Sequence, residues 1–158
     1  PFIPPLEAFI REAYAAGVPQ VRICFGHQIM AQAMGGTVTK YKGGWGLGRT
    51  VYRMEGREVA LNAWHQDQVV ARPEAAEVIA SSDFCENAGL VYGKRMLSFQ
   101  PHPEFSPQIV ETYVATRRGS LDYEDDRMDA AASALNQPID QAPAAAMIAA
   151  FFKDARNG

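Results

Sequence analysis

The sequence predicts an α/β fold, a sheet with helices on its faces and a helical C-terminal segment. Three observations carry this. The β-prone run QVRICF, residues 20–25, passes at Gly26 into the helical pattern HQIMAQAMGG. Short β-prone runs divided by turn residues then recur up to about residue 100. Beyond Pro107 the spacing of apolar residues changes from that of strands to that of helices.

Taken in order, Pro4 and Pro5 followed by LEAFIREAYAAG read as a helix. Proline is tolerated in its first turn, Leu6, Phe9, Ile10, Ala13 and Tyr14 form an apolar stripe, and Gly17 with Pro19 ends it. QVRICF is a strand, and the helix after it is closed by Gly35-Gly36, so Cys24 lies at a strand-to-helix junction. TVTKY is a strand, and KGGWGLG a glycine-rich loop. RTVYRM and EVALNAW flank the turn EGRE as an antiparallel pair. EVIASS is a strand, and GLVYG and RMLSFQ lie on either side of a Gly93-Lys94 turn. QIVETYVATRR, YEDDRMDAAASAL and AAAMIAAFFKDA are three helices, the last two divided by a linker from Pro138 to Pro143. A doubly wound sheet needs several strand–helix units before such a junction becomes central, and this chain is short of strands.

At 158 residues, with 47% apolar and 21% charged residues, the chain has the profile of a single globular domain. A net charge of −3 without a Lys/Arg run argues against nucleic acid or an anionic membrane as partner. No apolar stretch approaches membrane-spanning length. Two cysteines without a CxxC pair, and histidines at 27, 65 and 102, speak against a disulfide framework or a local metal cluster and suit a cytoplasmic location with no cofactor.

A cysteine on a strand-to-helix turn is lifted out of the sheet, and the helix N-terminus favours its thiolate. So tight a turn wants small residues two before and two after the nucleophile. Gly26 fills the second place, and Arg22 stands in the first. A buried filler is the alternative for Cys24. A nucleophile needs a base, and the base an orienting group. FQPHPEF, residues 99–105, offers His102 and Glu104 two apart. Pro101 and Pro103 favour an extended chain there, which would put both side chains on one side.

The combination ICFGHQ, WHQDQV and QPHPEF, in this order and spacing, resembles the class I glutamine amidotransferases over about residues 3–118. It is most similar to their stand-alone members that look like the amidotransferase domain of GMP synthase. The resemblance implies a flavodoxin-like, doubly wound and mostly parallel sheet. It implies that Cys24 attacks the side-chain amide of glutamine to form a γ-glutamyl thioester. His102 would be the general acid/base and Glu104 its orienter. The backbone N–H of Phe25 would serve the oxyanion hole, Gln28 would contact the substrate's amino-acid end, and His65, Gln66 and Asp67 would line it. Glutamine or another γ-glutamyl small molecule is the implied substrate. A separate synthase chain would accept the ammonia.

Two departures from the family pattern set further expectations. Arg22 stands where the family has glycine; filling a glycine-sized gap costs about 1–3 kcal/mol. An elbow displaced by about 1 Å would lose roughly a hundredfold in rate. The family also carries strands ahead of the first helix here, with a loop supplying the other oxyanion-hole N–H. The resemblance therefore implies an N-terminally shortened chain: residues 1–158 as one partial domain, 107–158 its helical cover. Such a chain would lack the first strands and be open to self-association through an exposed sheet edge. The alternative function is a catalytically impaired remnant that binds glutamine or a partner.

Other residues have plainer readings. Cys85 is a bystander thiol, His27 a packed residue at the helix start, and Trp45 and Trp64 packing residues. GGWGLG lacks the spacing of a phosphate loop and reads as a flexible loop near the substrate pocket. Asp122, Glu124, Asp125 and Asp126 form a solvated helix start.

Overall fold

The computed structural model describes residues 2–120 and 122–156. Helix α1 (Ile3–Ala15) carries both prolines in its first turn and buries Ile10. Strand β1 (Gln20–Ile23) leads through Cys24 into helix α2 (Phe25–Ala33). Strands β2 (Thr37–Lys40), β3 (Gly46–Met54), β4 (Arg57–His65), β5 (Asp67–Ala71), β6 (Glu77–Ser81), β7 (Gly89–Tyr92) and β8 (Met96–Phe99) follow. Helices α3 (Pro107–Arg117), α4 (Asp125–Ser133) and α5 (Gln141–Arg156) complete the described residues.

Six strands form a sheet in the order β1-β8-β7-β6-β3-β4, and β2 pairs with β5 in a separate two-stranded ribbon. The α/β class is as the sequence predicts. Within the sheet, β1 and β8 form the one parallel pair among the described residues, whereas the other pairs are antiparallel. The resemblance implied a mostly parallel sheet. The connections explain the difference. Parallel neighbours need a crossover of a dozen or more residues, and the turns from β3 to β4 and from β7 to β8 are far too short for one. The first of them, Glu55-Gly56, has both residues at positive φ, 50° and 75°. This is the two-residue hairpin turn whose twist matches the strands it joins.

Three apolar clusters fix the layers. Ile10 of α1, with Ile29 and Met30 of α2, packs on Leu90, Tyr92 and Met96 of the sheet. Val21, Ile23, Leu97 and Phe99 belong to a second cluster with Met147, Ile148 and Phe151 of α5. The third joins Trp64 to Val110 and Val114 of α3 and Met128 of α4. Alternation along β1 thus sends Val21 and Ile23 toward α5 and leaves Arg22 on the α2 side.

Three local expectations are revised. Gly46 and Gly48 lie in β3, so the glycine-rich loop is shorter than predicted. It is also held: Arg127 of α4 donates to the carbonyl oxygens of Trp45, at 2.7 Å, and Gly43. Pro143 lies in the first turn of α5, where proline is at home, so the predicted linker ends before it. Strand β5 is an addition to the predicted elements, because Gln66, where the chain turns away from β4, is neither glycine nor proline and gives no turn signal.

Candidate active site

Cys24 is the N-cap of α2 and has φ 52° and ψ −108°. Glu55 in the hairpin is the other non-glycine residue at positive φ among the described residues. A side chain bearing Cβ rarely adopts this conformation; strain of this kind is held only where the surroundings over-determine it. Here they do. The Cys24 N–H donates to the Phe99 carbonyl of β8 at 2.8 Å, and its own carbonyl accepts the Gln28 N–H at 3.0 Å. Phe25 and Gly26, at the start of α2, have backbone N–H groups with no partner inside the helix. Those donors and the helix dipole act on the cysteine and on whatever binds beside it.

Close approach favours glycine at 26: a Cβ there would lie 3.0 Å from the Cβ of Arg22. The arginine is accommodated beside the elbow. Its side chain leaves the crowded point along the strand and donates to Gln20 Oε1 from Nε at 3.3 Å and Nη2 at 2.9 Å. Partial burial pulls its pKa down without removing the charge. Arg22→Gly should leave the rate of Cys24 alkylation within about threefold of the parent, because the backbone bonds that hold Cys24 do not involve the Arg22 side chain. It should destabilise the chain by about 0.5–1 kcal/mol, the usual effect of glycine inside a strand. Alkylation kinetics and a urea transition check both.

The second arm enters from the loop after β8. The His102 N–H donates to the Asn62 carbonyl of β4 at 2.8 Å, and the Asn62 side chain returns a bond to the Phe105 carbonyl at 3.0 Å. The Phe105 ring stacks on the imidazole, centroids 3.8 Å apart and planes 13° from parallel. His102 Nδ1 and Glu104 Oε1 are 2.7 Å apart. The pair forms as expected, but by a different geometry. The Phe105 N–H closes a turn on the His102 carbonyl at 3.2 Å, with Pro103 at the position where its fixed φ suits a turn. It is this turn, not an extended run, that swings Glu104 back. Asn62, which no sequence motif marks, is the buried anchor of that loop.

With Nδ1 on Glu104, the other ring nitrogen is left for Cys24. Burial by itself pushes the imidazole down; hydrogen bonding and charge from Cys24 and Glu104 outweigh this and hold it at about 9. Burial pushes Glu104 up, but His102 and a backbone N–H win, so its carboxylate lies below the usual range. The other two histidines are different. Burial drives His27 down to about 3 and His65 to about 4, so both are neutral at physiological pH. His27 Nδ1 pairs with Ser98 Oγ at 2.8 Å, in keeping with a packed residue. Cys85 is buried and its thiol is pushed up to about 12.

A cleft of about 390 Å³ opens beside the elbow, lined by Cys24, Gln28, Lys40, Trp45, Trp64, His65, Gln66 and Asp67. Every residue proposed from sequence to line the substrate site is here. Their functional groups are not all free. Gln28 Nε2 donates to the Asp67 carbonyl at 2.8 Å and to Gln100 Oε1 at 3.1 Å, which leaves Gln28 Oε1 to meet a ligand. The Gln66 carbonyl accepts the Tyr41 N–H at 3.1 Å. Trp45 and Trp64 serve both the third apolar cluster and the cleft wall. The acidic run begins α4, with Asp125 and Asp126 in its first turn. Among the described residues no group of acidic, histidine or cysteine side chains could hold a metal ion, and no helix is long and apolar enough to cross a membrane.

The family model described as glutamine amidotransferase class-I matches residues 3–117. A glutamine amidotransferase-like protein of Schizosaccharomyces pombe is 32% identical over 89% of this chain and 60% of its own length. A glutamine-hydrolysing GMP synthase subunit of Archaeoglobus fulgidus is 37% identical over 62% of this chain and 57% of its own. The crystal structure of a glutamine amidotransferase from Methylobacillus flagellatus superimposes with a TM-score of 0.70 at 27% identity. It covers 78% of this chain and 55% of that one. The chain thus spans somewhat more than half the length of these proteins.

Proposed function

The chain belongs to the class I glutamine amidotransferase family, and on that premise we propose that it hydrolyses the side-chain amide of glutamine through a γ-glutamyl thioester on Cys24. The reading is carried by a strained cysteine at a helix N-terminus that lines the cleft, together with a histidine that is hydrogen-bonded to a carboxylate and whose pKa that cysteine helps to raise.

In this reaction the Cys24 sulfur attacks the amide carbon, and the Phe25 N–H donates a hydrogen bond to the oxyanion that forms. His102, an imidazolium near neutral pH, gives its proton to the nitrogen as the carbon–nitrogen bond breaks, and ammonia leaves. The now neutral His102 draws a proton from water, whose oxygen attacks the thioester. Glutamate departs, and Cys24 and His102 regain their resting states. Glu104 fixes the ring through Nδ1 and stabilises its charge. Gln28 Oε1 accepts from the substrate ammonium, with His65, Gln66 and Asp67 lining that end of the cleft. Helices α3, α4 and α5 act as the helical cover of the domain. The similarity to a GMP synthase subunit supports a separate synthase chain as the ammonia acceptor.

Intact-mass analysis after incubation with a glutamine-shaped electrophile tests the reading. One adduct is expected, located at Cys24, with Cys85 untouched because its buried thiol does not ionise at neutral pH. Ammonia release should then follow glutamine concentration. A Cys24 that takes a small alkylator but neither the electrophile nor glutamine would overturn the reading in favour of an impaired remnant. Turnover of γ-glutamyl peptides without glutamine would redirect it to another γ-glutamyl compound.

A further inference from the structure

Gln100 is fully buried, two residues before His102, and its backbone N–H and both ends of its side-chain amide have named partners. Its backbone N–H donates to the Ala88 carbonyl at 2.8 Å. Its Oε1 accepts from Gln28 Nε2 at 3.1 Å, and its Nε2 points at the Cys24 sulfur, 3.7 Å away. A side chain needed only to fill this space would serve better as leucine or methionine, since a buried amide must find partners for every group or lose stability.

The orientation of the amide is fixed from outside. Gln28 Nε2 has two hydrogens, and both go to acceptors: the Asp67 carbonyl and Gln100 Oε1. Turning the Gln100 amide over would set N–H against N–H at Gln28 and present a carbonyl oxygen to the sulfur. A run of hydrogen bonds therefore leads from the Asp67 carbonyl, beside the cleft, through Gln28 and Gln100 to Cys24. The sulfur also faces the Trp64 carbonyl oxygen at 3.9 Å, to which only a thiol can donate, and the His102 imidazole; among these partners the Gln100 N–H is one whose bond strengthens when the sulfur is charged.

We propose that Gln100 is a positioning residue for Cys24, directing its sulfur toward the cleft by an N–H bond that strengthens as charge develops there, and that Gln28 keys this by fixing which end of the Gln100 amide faces the sulfur. The proposal rests on Cys24 being the nucleophile of the reaction above. Its test does not depend on that reaction, because alkylation consumes the thiolate and needs no glutamine.

The experiment is the pH profile of Cys24 alkylation by iodoacetamide, followed by mass, in the parent, Gln100→Met, Gln28→Met and the double variant. Methionine keeps the size and brings no charge, and thermal melts check that each variant folds. In Gln100→Met the midpoint should rise by about one pH unit, with roughly tenfold slower alkylation below it. Gln28→Met does not touch the sulfur, yet should shift the midpoint the same way by a smaller amount. The double variant should shift no further than Gln100→Met, since Gln28 acts through Gln100. A midpoint unmoved in folded Gln100→Met would make Gln100 a structural residue only and overturn the proposal; so would a double variant in which the two shifts add. Should Gln100→Met fail to melt cooperatively, Gln28→Met carries the test, and an unmoved midpoint there overturns it equally.

Discussion

Cys24→Ala should reduce ammonia release from glutamine by about 10⁴-fold or more, to the level left by binding and oxyanion contacts alone. The expectation follows from the order of events. Without sulfur there is no thioester, and the remaining groups must activate water directly from positions built for a different nucleophile. His102 is held at about 9 partly by Cys24, so its loss also lowers the imidazole's pKa and weakens the remaining acid. Folding should be preserved. The bonds that hold the elbow, from the Cys24 N–H to Phe99 at 2.8 Å and from Gln28 N–H to the Cys24 carbonyl at 3.0 Å, are made by backbone and survive the substitution. A steady-state ammonia assay beside a thermal melt separates the two effects. Turnover that stays within tenfold of the parent in the folded alanine variant would remove Cys24 from the chemistry.

How much of this is legible in the sequence differs from residue to residue. The elbow is legible because local physics writes it: a β-prone run, a cysteine, a glycine, then helical spacing. The pairing of His102 with Glu104 is also legible, though for a reason that does not hold. Two residues of separation suggest an extended chain, whereas the turn closed by Phe105 makes the contact. At Arg22 the sequence shows that glycine is absent but not that the long side chain has an exit along the strand to Gln20. Gln100 and Asn62 are hidden. An amide residue has no spacing signature, and the partners of Gln100 lie 72 and 76 residues away. Only the parallel pairing of β1 with β8 brings FQP beneath the cysteine.

His102→Gln should be the second severe variant, with ammonia release down by about 10²–10⁴-fold, because glutamine can neither give a proton to the leaving nitrogen nor take one from water. The parent's pH dependence gives the finer check. His102 has a folded pKa of about 9, above the ordinary value of 6.5. The imidazolium is therefore present at neutral pH, and activity that needs it should fall as pH rises through about 9. Stability follows the same sign: the contribution from protonated His102 is complete below about 6.5 and is lost as pH climbs through about 9. A thermal melt of His102→Gln should lack that alkaline loss. Glu104→Gln then separates charge from geometry. The amide oxygen still accepts from Nδ1 at the 2.7 Å position, but the carboxylate charge is gone. The alkaline limb of the rate profile should move down from about 9 toward the ordinary histidine value, leaving activity near pH 6 less affected than activity near pH 8.5. An alkaline limb that stays in place in Glu104→Gln would show that Cys24 alone raises His102, and the carboxylate would be left with orientation as its only part in the site.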